Sequence, residues 1–195
     1  MNHEGRIFNN TYLNNLLSEG SQIAGDMKRS FGALSSGQLN WKPDESRWSI
    51  GQCIDHLITT NRTYLPIFEK VSKDNRSASG WKRVPFLPVV WGKILLHSVQ
   101  PDNPRKRKTF NVFLPSMSDI NKRIVGDFIV HQKELITLIS ETDSVDHEKI
   151  VVTSPVSRLV TYTLKYCCLI IITHEKRHLL QAKRVMEYDN FPGSE

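Results

Sequence analysis

An all-α fold, a four-helix bundle with a long crossover between its second and third helices, is what this sequence predicts, and three observations carry it. Four long stretches repeat their apolar residues at steps of three and four, the period that turns one side of a helix inward. No stretch alternates apolar and polar residues convincingly enough for a strand. Residues 72–115 break the helical pattern with charged, small and proline residues, which reads as a long crossover. Together these place helices near 7–31, 48–70, 116–141 and 156–187 within one domain spanning 1–195.

The first helix carries Ile7, Phe8, Tyr12, Leu13, Leu16, Leu17, Ile23, Met27 and Phe31, with Gly20 and Gly25 as points where it weakens or bends. "LSSGQLNWKPDESRWS" is then a connection, and Ser46 or Ser49 is available to cap the next helix. That second helix has an inward stripe of Trp48, Gln52, Cys53, His56, Thr60, Tyr64 and Ile67, and Pro66 should kink it or end it early. The crossover holds a short apolar piece, "LPVVWGKILLHSV", followed by the basic "QPDNPRKRKTFNVFLPS". The third helix shows Ile120, Ile124, Phe128, His131, Leu135 and Leu138, with Ser116 or Ser118 as its cap. The last runs through "LKYCCLIIITH", so apolar that it should be the most buried of the four.

Composition narrows the function. A chain of 195 residues, 39% of them hydrophobic, can bury a core without staples. The net charge of +6 favours anionic partners in general, and it is concentrated in places such as "PRKRK" at 104–108. That run lacks interleaved aromatics and reads as a solvated loop, so nucleic acid is not an expected partner. Three cysteines, two of them the neighbours Cys167 and Cys168 in an apolar run, exclude a disulfide framework and suit a reducing cytoplasm. "MNHEGRIFNN" lacks the apolar stretch of a signal peptide and "YCCLIII" is far too short to span a bilayer, so a soluble cytoplasmic protein without a membrane partner is expected.

The chemistry concentrates in "THEKRHLLQAKRV", residues 173–185. His174 and His178 stand one helical turn apart on one face, with Glu175 directly after the first. As a zinc peptidase motif this needs Glu175 as base and a third ligand. The longer peptidase pattern requires Gly and His where Gln181 and Arg184 stand. A downstream glutamate has no separate helix to come from, because Glu187 lies in the same helix and Glu195 is the last residue. Glu175 is also turned by about 100° from His174, which points it away from an ion. The remaining reading is a site built from several helices, and "RWSIGQCIDHLITT" offers His56 from a core-facing position.

"PDESRWSIGQCIDHL" opening the second helix and "HEKRHLLQ" in the last, with "LNWKPDESRWS" and "KTFNVFLPS" ahead of the second and third, resemble the DinB-like (DinB/YfiT) superfamily over most of the chain. The resemblance implies up-down-down-up topology and a metal site of one histidine from the second helix and two, four apart, from the last. Those positions are His56, His174 and His178 here. Characterised members of the superfamily that the chain resembles include thiol transferases using bacillithiol and isomerases using mycothiol, while many members have no known activity.

Three neutral imidazoles leave a divalent ion an open position for water or substrate and suit zinc, nickel, iron or copper, with zinc or nickel the cofactor expected. Gln52 and Gln181 are candidates for orienting a ligand or water. The expected function is a metal-dependent enzyme acting on a small molecule, thiol S-transferase or hydrolase in type. The alternative is a non-catalytic metal- or ligand-binding stress-response bundle. Expected partners are a small-molecule substrate, with a low-molecular-weight thiol as one candidate, and a second copy of the chain in a homodimer. Cys53 and Cys167 are expected as core thiols, His131 as a core residue outside the site, and His3, His97 and His147 on the surface or in loops.

Overall fold

The computed structural model describes residues 8–74, 86–103, 114–115 and 119–193. Ile7, His3, "PRKRK" at 104–108 and the expected caps Ser116 and Ser118 lie outside the described residues. Helix α1 (Tyr12–Phe31) buries Leu13, Leu16, Leu17, Ile23, Met27 and Phe31, the stripe read from the sequence. It starts later than position 7 because the Asp143 carboxylate accepts the backbone N–H of Asn9 and of Asn10, both at 2.9 Å, and holds that segment as a turn.

A short helix α2 (Ser36–Asn40) interrupts the expected connection, closed at its start by a capping box between Ser35 and Gln38. Helix α3 (Ile50–Arg62) opens with a second capping box, Ser49 with Gln52. The expected long second helix is two helices, α3 and α4 (Leu65–Asp74). Pro66 accounts for the break, since it offers no N–H to the carbonyl of Arg62 and its ring crowds that carbonyl. Within the crossover the apolar piece is a helix, α5 (Leu87–Ser98), with proline in its first turn where the missing N–H costs nothing.

Helix α6 (Ile124–Glu141) ends where expected but does not start at 116. Asn40 clamps the backbone of Ile120, accepting from its N–H and donating to its carbonyl, each at 2.9 Å. Asp119 before it adopts φ 47°, and Asn121 takes the N–H of Arg123 at 2.9 Å, so the chain turns helical only after this point. The last helix is also shorter than 156–187. Two antiparallel strands, β1 (Val151–Thr153) and β2 (Thr161–Thr163), pair Val152 with Tyr162 ahead of helix α7 (Leu164–Val185). Thr163 caps α7, its hydroxyl accepting from Tyr166 N–H.

Long-range side-chain pairs set the directions of the four main helices. Lys176 meets Glu19 at 2.7 Å and Lys183 meets Asp26 at 3.4 Å, so α1 and α7 run the same way. Asp143, beyond the end of α6, holds the start of α1, so those two are antiparallel. Trp48 ahead of α3 stacks on His178 while Asn61 near its end donates to Glu175, earlier in α7, so α3 opposes α7. The bundle is therefore up-down-down-up, with α1 and α3 each packed against both α6 and α7. None of the described helices is long and apolar enough to cross a membrane.

His147, expected on the surface or in a loop, is fully buried. Its Nε2 lies 3.0 Å from the hydroxyl of nearby Thr142 and its Nδ1 2.6 Å from the Tyr12 hydroxyl, a partner too remote in sequence to leave a local signal. His97 is exposed, as expected.

Candidate metal centre

The Ser49 capping box fixes the first turn of α3, and one and a half turns on His56 projects from its buried face. Across from it, α7 brings His174 and His178 to the same side, one turn apart. One ring nitrogen from each of the three comes within 4.8 Å of both others. His56 Nε2 and His174 Nε2 are 3.3 Å apart. Ligands about 2.0–2.1 Å from a tetrahedral ion stand about 3.3–3.4 Å from one another, so this pair already has the spacing an ion needs.

The rings of His174 and His178 are electrostatically prepared as neutral donors. His56 and His178 are buried, and His174 is half-buried toward a cleft. Burial, then the neighbouring imidazoles and the Arg177 guanidinium, hold His174 and His178 below the ordinary histidine range. Deprotonated imidazole is the form that binds metal. Nδ1 of His178 is buried without a hydrogen-bond partner, an arrangement that costs about 1–3 kcal/mol when nothing compensates it. The donor set thus fits a divalent ion.

Two residues complete the site that the histidine pattern did not reveal. Thr60, one turn beyond His56, places its hydroxyl 3.5 Å from His56 Nδ1, which favours leaving Nε2 for the cluster. Trp48 packs its ring 4.9 Å from His56 and stacks on His178 at 5.7 Å and 19°. Both belong to the inward stripe that the sequence shows with His56, although Trp48 lies just ahead of the helix itself. Of the two glutamines, Gln52 returns its side-chain oxygen to Ser49 N–H at 3.2 Å, and Gln181 lines the cleft beside His178 and partly offsets the fall in its basicity.

Glu175 points away from the cluster. It is fully buried, accepting from Asn61 Nδ2 and from Gln132 Nε2, each at 2.6 Å. Burial pushes its carboxyl up to about 8, against the two amide hydrogen bonds that lower it. Because Gln132 also reaches the Gly20 carbonyl at 3.3 Å, this knot ties all four main helices. His131 is buried on α6 and lies outside the histidine cluster. The thiols of Cys53, Cys167 and Cys168 are buried, which raises their pKa and keeps them protonated.

Above the histidines opens a cleft of about 1120 Å³, walled by α3, α5, α7 and the hairpin, with Arg47, Arg177 and Arg184 among its lining. The sequence profile of the DinB superfamily matches residues 22–182, which includes the three histidines, Trp48 and Thr60. The chain belongs to the DinB superfamily. A curated relative in sequence, the uncharacterized protein YuaE of Bacillus subtilis (strain 168), is 28% identical over 155 residues, covering 79% of this chain and 86% of YuaE. No solved structure matches the chain. As a DinB-superfamily bundle with three convergent histidines, the protein has a site compatible with a divalent metal.

Proposed function

We propose that this DinB-superfamily protein is a metal-dependent enzyme acting on a small molecule, and that a thiol-dependent transferase is the activity its geometry supports best. The observation that carries this reading is the placement of Glu175. The histidines face a cleft, while the carboxylate a peptidase-type hydrolase would use as base is spent on Asn61 and Gln132 inside the bundle. A chemistry whose nucleophile needs no carboxylate base suits such a site. A divalent ion, zinc or nickel by the imidazole donor set, would supply a Lewis-acid charge that favours the thiolate form of a cosubstrate.

The remaining work falls to the chain. The imidazoles of His174 and His178 stay neutral, Thr60 orients His56, and Trp48 shields the cluster on one side while the cleft leaves the other accessible. Three cysteines without a disulfide accord with a cytoplasm where low-molecular-weight thiols are abundant. The test is a screen of several thiols and electrophiles with metal-loaded, chelated and His174→Ala protein. Turnover confined to the loaded protein is expected. Equal rates in all three would remove metal from the mechanism, and metal uptake without turnover on any thiol would leave a binding bundle.

A further inference from the structure

We propose that the outward side of α5 docks on an anionic lipid surface. The inference stands apart from the metal reading and starts from a helix that is apolar on both its sides. Inward, Gly92 lies so near Tyr166 of α7 that a Cβ there would stand 2.4 Å from the ring, while Leu95 and Val99 line the cleft. Outward, Phe86 just ahead of the helix is 78% exposed, and Val90 at 48% and Ile94 at 46% follow at four-residue steps, with Leu87 also exposed. At the helical repeat these four side chains fall within an arc of about 100°, the width of a docking stripe. Lys93 and His97, both exposed, share that side.

Single apolar side chains in water need no explanation, whereas a continuous stripe of them marks a contact surface. Charge decides what the surface meets. Residues 72–115 of the sequence hold nine basic and two acidic residues, a net +7 against +6 for the whole chain, so the rest of the molecule is close to neutral. Lys82 and Arg83 precede α5 in the sequence, and the run Arg105 to Lys108 follows it.

A second copy would bring two such segments together against their repulsion. Four side chains on one helix of 12 residues also fall well short of the about 800 Å² per partner that a stable interface needs. A nucleic acid would meet the charge and leave the apolar stripe in water. An anionic bilayer satisfies both, taking the stripe into its interface and attracting the lysines and arginines by its surface potential. A helix lying on a bilayer does not span it, so the lack of a membrane-crossing helix among the described residues has no bearing on this contact.

Co-flotation of the full chain with vesicles of phosphatidylcholine alone, and of phosphatidylcholine mixed equally with phosphatidylglycerol, tests the proposal. Partition into the mixed vesicles should be at least about tenfold greater, and raising salt from about 0.1 M to about 1 M should abolish the difference. Phe86→Ser, at an N-cap position that serine suits, should cut partition into the mixed vesicles about tenfold without endangering the fold. Lys93→Gln should cost about fivefold. Val130→Ser, removing a side chain that is 72% exposed on α6, should change nothing. Equal partition into the two kinds of vesicle, or a Phe86→Ser protein that binds as the wild type does, overturns the inference. So does self-association in sedimentation velocity that Phe86→Ser abolishes while vesicles bind nothing, a result that gives the face to a second copy.

Discussion

Two polar clusters stand side by side on α7 and are built on opposite plans. His174 and His178 point to His56 with ring nitrogens gathered on one another and on a cleft. Glu175, one residue along, points to Asn61 and Gln132 and finds both carboxylate oxygens matched by donors. The knot ties four helices together and so reads as structure, although Asn61 Oδ1 and Gln132 Oε1 are themselves buried without a partner, whereas the histidines gather on a cleft that an ion could enter. Adjacent residues of one helix thus divide holding the bundle from serving the cleft.

Breaking the knot should have the largest effect. Glu175→Ala strands two buried amide donors and should lower stability by about 3–5 kcal/mol, read as a fall in the urea midpoint at unchanged slope. Glu175→Gln, nearly the same shape, should recover most of that loss. The histidine side is sharpened by Thr60→Val, which removes the hydroxyl facing His56 Nδ1. Zinc affinity should fall about tenfold, measured by competition with a chromogenic chelator. Stability of the zinc-free protein should stay within about 0.5 kcal/mol, since the substitution keeps shape.

The same contrast explains what could be read in advance. The interiors of α1, α3, α6 and α7 were legible because burial imposes a 3.6-residue period, and the histidines because two helices each present them on an inward face. Starts of helices were not legible, because they depend on distant partners: Asn40 holding Ile120, and Asp143 holding Asn9 and Asn10. Helix α5 hid because it is apolar on nearly every side, with Phe86 before it and Val90 and Ile94 within it exposed, and so shows little amphipathic stripe. The three-residue strands are too short for an alternation to stand out. The direction of Glu175 followed from helix geometry, but its burial depended on Asn61 and Gln132, far away in the chain.

A smaller effect separates a buried histidine outside the cluster from those within it. Burial, then the charge of Arg62, lowers His131 to about 4, while Glu134 approaches its Nδ1 at 3.9 Å. The unfolded ring titrates near about 6.5, so the neutral native form gives stability that is complete above that pH and drains away as pH falls toward 4. His131→Leu should flatten this acid limb, visible in unfolding midpoints collected between those two pH values, without altering metal uptake.

The most direct measurement of the division on α7 is elemental analysis of zinc in wild-type, His56→Ala, His178→Ala and Glu175→Gln proteins, each loaded and desalted identically, with helical content checked by circular dichroism. One ion per chain in the wild type and in Glu175→Gln, and almost none in either histidine variant, is the predicted result. Unchanged stoichiometry in the histidine variants, or loss of the ion in a folded Glu175→Gln protein, would contradict it.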